Sequence, residues 1–297
     1  MKTHFFTVFT PTYNRAHTLH RVYDSLLAQT FRDFEWLIVD DGSNDNTAEL
    51  VKKWQSEASF LIRYIYQTNK GKHVASNVGV REAKGKLFMF FDSDDACVPE
   101  ALERFYFYWD KIPEKEKRNY STISALCVDM QGNLIGDEYP GDVVDADSAW
   151  QQILFRSSGD RVGVNRTDVL KKNPFPEIPG EKFISEGIVW NRIAQSYRAR
   201  FINKRLKIKE YMSDGLSASS VKIRANNPIG SRLYYRELSE LAMPLGQKAK
   251  ALINYIRFSF HGRIPLMRII KESAAPSATA LLLIPGYFFY RADRKAI

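Results

Sequence analysis

Apolar and polar positions alternate between two periods along the first hundred residues. Residues 5–10 form a short apolar run ending at Pro11, and from residue 16 to 30 Leu19, Val22, Tyr23, Leu26 and Leu27 recur at helical spacing. A second buried strand is predicted over 35–39. It runs into Asp40-Asp41-Gly42-Ser43, after which Asp45 or Asn46 can cap a helix carrying Leu50, Val51 and Trp54. The pattern then repeats: a strand over 60–66, a helix over 73–84, and a fourth strand over 87–91 that enters Asp92-Ser93-Asp94-Asp95. Pro99 suits the first position of a helix reaching about Trp109. Strand and helix alternating in this way predict an α/β fold with a mostly parallel sheet and helices on both faces.

Beyond a charged connection at 114–119 the pattern loosens into mixed structure. It predicts a strand over 121–130, a turn at Gly132-Asn133, a helix over about 147–155, another over about 185–197 and a basic strand over 200–211. After Asn227-Pro228 the chain turns to helices rich in Arg, Tyr and Leu, with no internal repeat.

Composition adds limits. With 44% hydrophobic residues, including 19 Phe and 15 Tyr, the 297-residue chain can bury enough apolar area to fold, which excludes wholesale disorder. Two cysteines, Cys97 and Cys127, exclude a disulfide framework and a four-cysteine zinc site, and fit a reducing cytoplasm. The opening residues lack a secretory signal, so a cytoplasmic protein is expected. The net charge of +9 is unevenly placed: from Lys204 onward there are 17 Lys plus Arg against 6 Asp plus Glu. Between 232 and 271 aromatic and aliphatic residues alternate with Arg and Lys, and the apolar run 278–290, interrupted by Pro285-Gly286, falls short of the roughly 20 residues a bilayer span needs. Peripheral attachment to an anionic membrane surface, on the inner face, is expected of this region; packing on the rest of the chain or on a partner subunit is the alternative. No nucleic-acid motif accompanies the charge, so nucleic acid is not an expected partner.

The candidate chemistry lies in two acidic loops. Both follow apolar strands of one parallel sheet and so open at its carboxyl edge, where such sheets bind ligands. Aspartates crowded at 92, 94 and 95 repel one another unless paired, and a divalent cation relieves that cost. An EF-hand starting at Asp92 fails because Ala96 and Cys97 fill ligand and glycine positions. A Walker A loop fails because five residues separate Gly79 from Gly85, and no Gly-rich dinucleotide fingerprint follows the first strand. The loop Thr10-Pro11-Thr12-Tyr13-Asn14-Arg15 instead offers hydroxyls, an aromatic face and a cation suited to a nucleobase and ribose.

These residues closely resemble family 2 glycosyltransferases of the inverting GT-A type. The resemblance is carried, in order, by 11–15, by Val39-Asp40-Asp41-Gly42-Ser43-Asn44-Asp45, by Asn69-Lys70-Gly71-Lys72 to Asn77, by Ala83-Lys84-Gly85, and by Asp92-Ser93-Asp94-Asp95. It implies a Rossmann-like GT-A domain over 1–226, with a nucleotide-sugar-binding half at 1–110 and an acceptor half at 111–226, followed by a basic amphipathic helical region at 227–297. It implies that Thr10, Thr12 and Tyr13 line the nucleotide pocket with Pro11, Arg15, Lys72, Asn77, Asp92 and Ser93, and that Asp41 or Asp40 accepts from a pyrimidine. Asp92-Ser93-Asp94 would be the DxD motif, with Asp92 towards ribose or metal and Asp94 ligating Mn²⁺ or Mg²⁺. Lys70, Lys72, His73 or Arg192 could neutralise the diphosphate. The family's base usually sits in a Glu-Asp pair opening a helix; here the match is Glu186-Gly187, so Glu186 is the first choice and Glu181 the second. Asp214 is an auxiliary candidate. The implied reaction moves a sugar from a nucleotide-sugar donor, UDP-linked, to a hydroxyl of a glycan or lipid-linked acceptor. The alternatives are a nucleotidyltransferase, and a membrane-associated nucleotide-sugar-binding protein without turnover, which Gly187 keeps open.

Overall fold

A computed structural model describes residues 3–210 and 220–296; Asp214 lies outside the described residues. The chain packs as two compact units, one formed by Met1–Pro174 with Arg192–Glu210, the other by Phe175–Asn191 with Tyr211–Ile297. Residues 175–191 thus join the carboxyl-terminal helices, a division other than the one expected at 226/227.

The first unit begins with β1 (His4–Thr12), α1 (Ala16–Leu27), β2 (Phe34–Asp40), α2 (Thr47–Glu57), β3 (Leu61–Tyr66), α3 (Lys72–Glu82) and β4 (Gly85–Phe90). It continues through β5 (Ala96–Cys97), α4 (Ala101–Asp110), α5 (Glu114–Lys117), β6 (Tyr120–Val128), β7 (Val143–Ala146), α6 (Ala149–Ser157), β8 (Arg161–Arg166) and α7 (Thr167–Lys172). After α8 (Gly187–Ala194) comes β9 (Arg198–Ile208). The strands form one sheet in the order β3-β2-β1-β4-β8-β6-β9-β5, with β7 also on β9. β1 to β4 are mutually parallel, as the alternation predicts, whereas β8 runs antiparallel between β4 and β6.

β1 extends through Pro11 to Thr12, past its expected end. Its pairing with β4 stops at Phe9↔Phe90, and Phe91 N–H donates to Phe9 O. The missing N–H of Pro11 therefore faces a side where the partner strand has already ended, and no ladder bond is lost. The core between sheet and helices gathers Phe6, Val8, Leu19, Val22, Leu26, Trp36, Ile38, Val51, Leu87, Met89 and Phe105. Cys97 and Cys127 are buried free thiols.

The second unit holds α9 (Ser220–Asn226), α10 (Pro228–Glu240), α11 (Leu245–His261), α12 (Leu266–Lys271), α13 (Pro276–Leu281) and α14 (Leu283–Ala296). α11 is its centre, with Leu252, Tyr255, Ile256 and Phe258 buried. Arg232 of α10 reaches the Tyr255 hydroxyl at 2.7 Å and Glu272 at 2.7 Å. No helix among the described residues is long and apolar enough to cross a membrane.

Candidate functional site

Because β1, β2 and β3 are parallel and in register, Thr12, Asp40 and Tyr66 stand side by side at one edge of the sheet. The following loops are tied to one another. Asn14, in the left-handed region at φ 52°, accepts from Asn44 N–H at 2.8 Å and donates its own N–H to Ser43 Oγ at 2.8 Å. Asp45 accepts from Ala16 N–H at the start of α1 and from the Thr47 hydroxyl at the start of α2. Although burial opposes ionisation, these bonds hold its carboxyl below the usual range.

The two neighbouring aspartates build the loops. Asp41 accepts from Gln67 Nε2 (2.6 Å), Lys70 N–H (2.9 Å), Asn69 Nδ2 (3.2 Å) and Gly71 N–H (2.8 Å), which fills the capacity of a carboxylate. Asp40 accepts from Ser43 N–H (2.7 Å) and the Tyr64 hydroxyl (2.6 Å). Gly42 is required between them: its φ is +90°, and a Cβ there would come within 2.8 Å of Asn69 N. An accepting role towards a pyrimidine, expected of Asp41 or Asp40, would have to displace some of these bonds. Thr10 also departs from expectation. Its hydroxyl lies in the core and accepts from Trp36 Nε1 at 3.0 Å, so it does not line a pocket. Thr12 remains at the edge, with a buried hydroxyl that has no partner among the described residues, and Tyr13 is exposed. Asn77 and the buried His73 lie on α3, which Lys72 opens.

In the second acidic loop the three aspartates have different fates. Asp92 meets Lys72 Nζ at 2.6 Å, both side chains about a third or more exposed (40% and 33%). Loss of water works against the charge, yet Lys72, Lys207 and Lys209 keep the Asp92 carboxyl well below the usual range. Asp95 is fully buried and meets Lys207 Nζ of β9 at 2.7 Å, and its second oxygen has no partner among the described residues. Burial and the neighbouring Asp92 and Asp94 push its pKa up, with Lys207 opposing. The Lys207 ammonium, by contrast, is stabilised, since Asp95, Cys127 and Asp92 outweigh its burial. Asp94 is held only through its backbone: Arg21 Nη1 donates to its carbonyl at 3.4 Å, and Arg21 also pairs with Glu210. No hydrogen bond or ion pair engages the Asp94 carboxylate among the described residues. Ser93 is buried between them.

Magnitudes separate the two lysines. The Lys72–Asp92 pair keeps a third or more of each side chain exposed, whereas Lys207–Asp95 is buried, and breaking a buried pair costs about 3–5 kcal/mol. Lys207 holds the loop in place. The β5–β9 pairing of Ala96 with Ile208 and Cys97 with Lys207 clamps the loop on the same side. Sequence reasoning missed Lys207, Arg21 and the burial of Asp95, because the partners lie 112 and 73 residues apart.

A divalent cation fits this loop only in company. Among the described residues no three His, Cys, Asp or Glu side chains converge to hold one unaided. One uncommitted carboxylate beside a second, partly exposed one suits Mg²⁺ or Mn²⁺ that takes its remaining ligands from phosphates and water.

In the second unit, Glu181 accepts from Ile229 and Gly230 N–H, both at 2.6 Å, and so caps the start of α10. Both oxygens are occupied, the capping role instead of the alternative base. Glu186 precedes α8, half-buried, and its carbonyl accepts from Val189 N–H at 3.1 Å. At Gly187 a Cβ would come 2.9 Å from the Tyr234 ring and 3.2 Å from its hydroxyl, so a side chain there would require the ring to shift. Tyr234 occupies the space an aspartate would take.

Residues 7–115 match the family model described as Glycosyl transferase family 2. An uncharacterized glycosyltransferase of Nostoc sp. is 41% identical over 98 residues, 33% of this chain and 30% of that one. The GalNAc(5)-diNAcBac-PP-undecaprenol beta-1,3-glucosyltransferase of Campylobacter jejuni is 25% identical over 241 residues, 79% of this chain and 73% of that one. The chain spans only 21–30% of the length of the Nostoc protein and of similar glycosyltransferases from Streptococcus pneumoniae and Rickettsia felis. Among solved structures, S. aureus TarS 1–349 in complex with UDP-GlcNAc has a TM-score of 0.66 at 20% identity, over 94% of this chain and 83% of that one. The mannosyltransferase PcManGT of Pyrobaculum calidifontis, in complex with GDP-Man and Mn²⁺, has a TM-score of 0.57 at 19% identity, over 98% and 83%. Residues 7–115 and the parallel sheet they build thus resemble glycosyltransferase family 2, and the chain shares the GT-A fold of these structural neighbours.

Proposed function

We propose that the protein transfers a sugar, with inversion, from a UDP-linked donor to a hydroxyl of a glycan or lipid-linked acceptor. The observation that carries this reading is the disposition of the 92–95 loop at the carboxyl edge of the sheet: Asp95 is neutralised by Lys207, Asp92 is paired with the partly exposed Lys72, and the Asp94 carboxylate is uncommitted among the described residues. The ligands bound in the two structural neighbours, UDP-GlcNAc in one and GDP-Man with Mn²⁺ in the other, support a nucleotide-sugar donor and a metal. The undecaprenol-linked acceptor named for the Campylobacter relative supports a lipid-linked glycan.

In this reading Thr12, Tyr13 and Arg15 flank the nucleoside, with Pro11 shaping the end of β1, and Asp40 and Asp41 set the loops around it. Asp94, with Asp92, would hold Mn²⁺ or Mg²⁺. When bound, the cation neutralises negative charge growing on the leaving diphosphate. Lys72 can turn from Asp92 to a phosphate oxygen. Glu186 is assigned to take the proton from the acceptor hydroxyl as that oxygen attacks the anomeric carbon on the face opposite the nucleoside diphosphate. A lipid-linked acceptor would place this work at the inner face of the cell membrane.

A panel of nucleotide sugars incubated with Mn²⁺ or Mg²⁺, followed by release of nucleoside diphosphate, tests the reading. One UDP-sugar should turn over, and Glu186→Gln should keep donor affinity while lowering turnover by about 10²-fold or more. Donor binding without release of UDP from any member, with or without a lipid-linked acceptor, would instead mark a binding protein without turnover.

A further inference from the structure

The last two helices of the second unit carry their apolar residues on the wrong side for a water-exposed surface. α14 is pinned to α11 along one face. Gly286 sits so close that a Cβ would come 2.4 Å from Ile256 Cγ2, and seven residues on, the buried Asp293 meets Arg257 Nε at 2.6 Å and His261 Nε2 at 2.9 Å. Two helical turns fixed in this way determine which face looks outward. That outward face carries Ile284 and Phe288 and then Arg291 and Lys295, at i, i+4, i+7 and i+11, preceded by Leu281 at the end of α13. Leu281, Ile284 and Phe288 are 83%, 82% and 69% exposed. A helix packed against its own protein normally presents polar residues there.

The charge along the same helix is one-signed. Arg291, Arg294 and Lys295 are exposed, and the single acid of α14, Asp293, is buried in its ion pair. Tyr287 and Tyr290, whose hydroxyls lie 3.3 Å from Arg291 and Arg294, add amphipathic rings between the apolar and basic turns. Fourteen residues of helix reach about 21 Å, too short to cross a bilayer but suited to lying in its surface.

We propose that α13 and α14 form a docking surface for an anionic phospholipid bilayer, with Leu281, Ile284 and Phe288 inserted below the headgroups and Arg291 and Lys295 on lipid phosphates. The apolar half supplies insertion and the basic half selects for anionic headgroups, the pairing expected of an interfacial helix. This rests on the helix face alone and is independent of the transferase reading.

Co-sedimentation of the full chain with phosphatidylglycerol–phosphatidylcholine vesicles, and with phosphatidylcholine alone, tests it without nucleotide or acceptor. The chain should pellet with the anionic vesicles only. An Ile284→Ser/Phe288→Ser variant should stay in the supernatant with an unchanged circular-dichroism melt, since both side chains are exposed. Arg291→Gln/Lys295→Gln should bind more weakly by about fivefold for each charge removed at low salt. Sedimentation velocity without vesicles should give the same monomer for all three. The proposal is overturned if the wild-type chain ignores anionic vesicles, or if both variants bind as the wild type does. It is equally overturned if the wild type is a dimer that Ile284→Ser/Phe288→Ser dissociates, which would assign the face to a second copy.

Discussion

Three aspartates within four residues would repel one another in water, and the fold gives each a separate fate. Asp95 is buried against Lys207, Asp92 rests on Lys72, and no side chain among the described residues engages the Asp94 carboxylate. Replacing Lys207 should therefore be costly even though it touches no substrate: Lys207→Met leaves a buried carboxylate unpaired, and denaturant unfolding should show a loss of about 3–5 kcal/mol. Adding Asp95→Asn should recover part of that loss; no recovery in the double variant would mean the pair is not the source. At this scale the sequence displayed the acids but not their partners. Asp94 was legible because an acidic triplet after an apolar strand is a local pattern, whereas Lys207 reads as one basic residue among several on a strand. The direction of Thr10 was illegible for a related reason: a hydroxyl at a strand end suits a pocket, and only the β1–β2 pairing turns it towards Trp36.

Helices are held by their ends and faces, and two such contacts predict measurable effects. Glu181 bonds to two N–H groups at the start of α10, so Glu181→Ala should destabilise the protein by about 1–2 kcal/mol in thermal or chemical melts while UDP affinity is kept. Loss of UDP affinity with no change in stability would return Glu181 to the site. At the other end of this unit, Arg257 and His261 hold the Asp293 carboxyl below its usual range, although burial opposes them. A carboxyl whose folded pKa is depressed contributes stability above its unfolded value of about 3.9 and loses that contribution as pH falls through the folded value. Asp293→Asn should thus melt well below the wild type at pH 7, with the gap closing below about pH 4; a gap independent of pH would show the charge to be irrelevant. Among the strands, β1 to β4 were legible because each is a mostly apolar run and helical periods separate them. β5 has two residues, β7 four, and β8 carries Gly163 and Asn165 between two arginines, so their identity as strands depends on distant partners. At Gly163 a Cβ would come 2.9 Å from Ile123 O, a close approach that no local propensity encodes.

Charge summed along the sequence overstated what the whole molecule offers to a partner. Of the basic residues after Lys204, Lys207 and Lys209 are drawn into the sheet unit by Asp95 and Asp160, and Arg232, Arg257 and Arg268 are paired with Glu272 and Asp293. Lys222, Lys250, Arg263 and Lys271 stay exposed along the second unit, and the exposed Arg291, Arg294 and Lys295 of α14 cluster at the end of the described chain. The division into units was not legible either, since residues 175–191 fold with helices that follow them only after β9. What the sequence did display is the edge of the sheet where β1, β2 and β4 deliver their loops, and on that edge the account stands. Isothermal titration of UDP into the wild type and Asp94→Ala, each with and without Mn²⁺, tests it most directly. UDP should bind the wild type markedly more tightly with Mn²⁺, and Asp94→Ala should lose that metal-dependent gain while melting as the wild type does. UDP affinity indifferent to Mn²⁺, or a folded Asp94→Ala that keeps the full metal-dependent gain, would contradict the account.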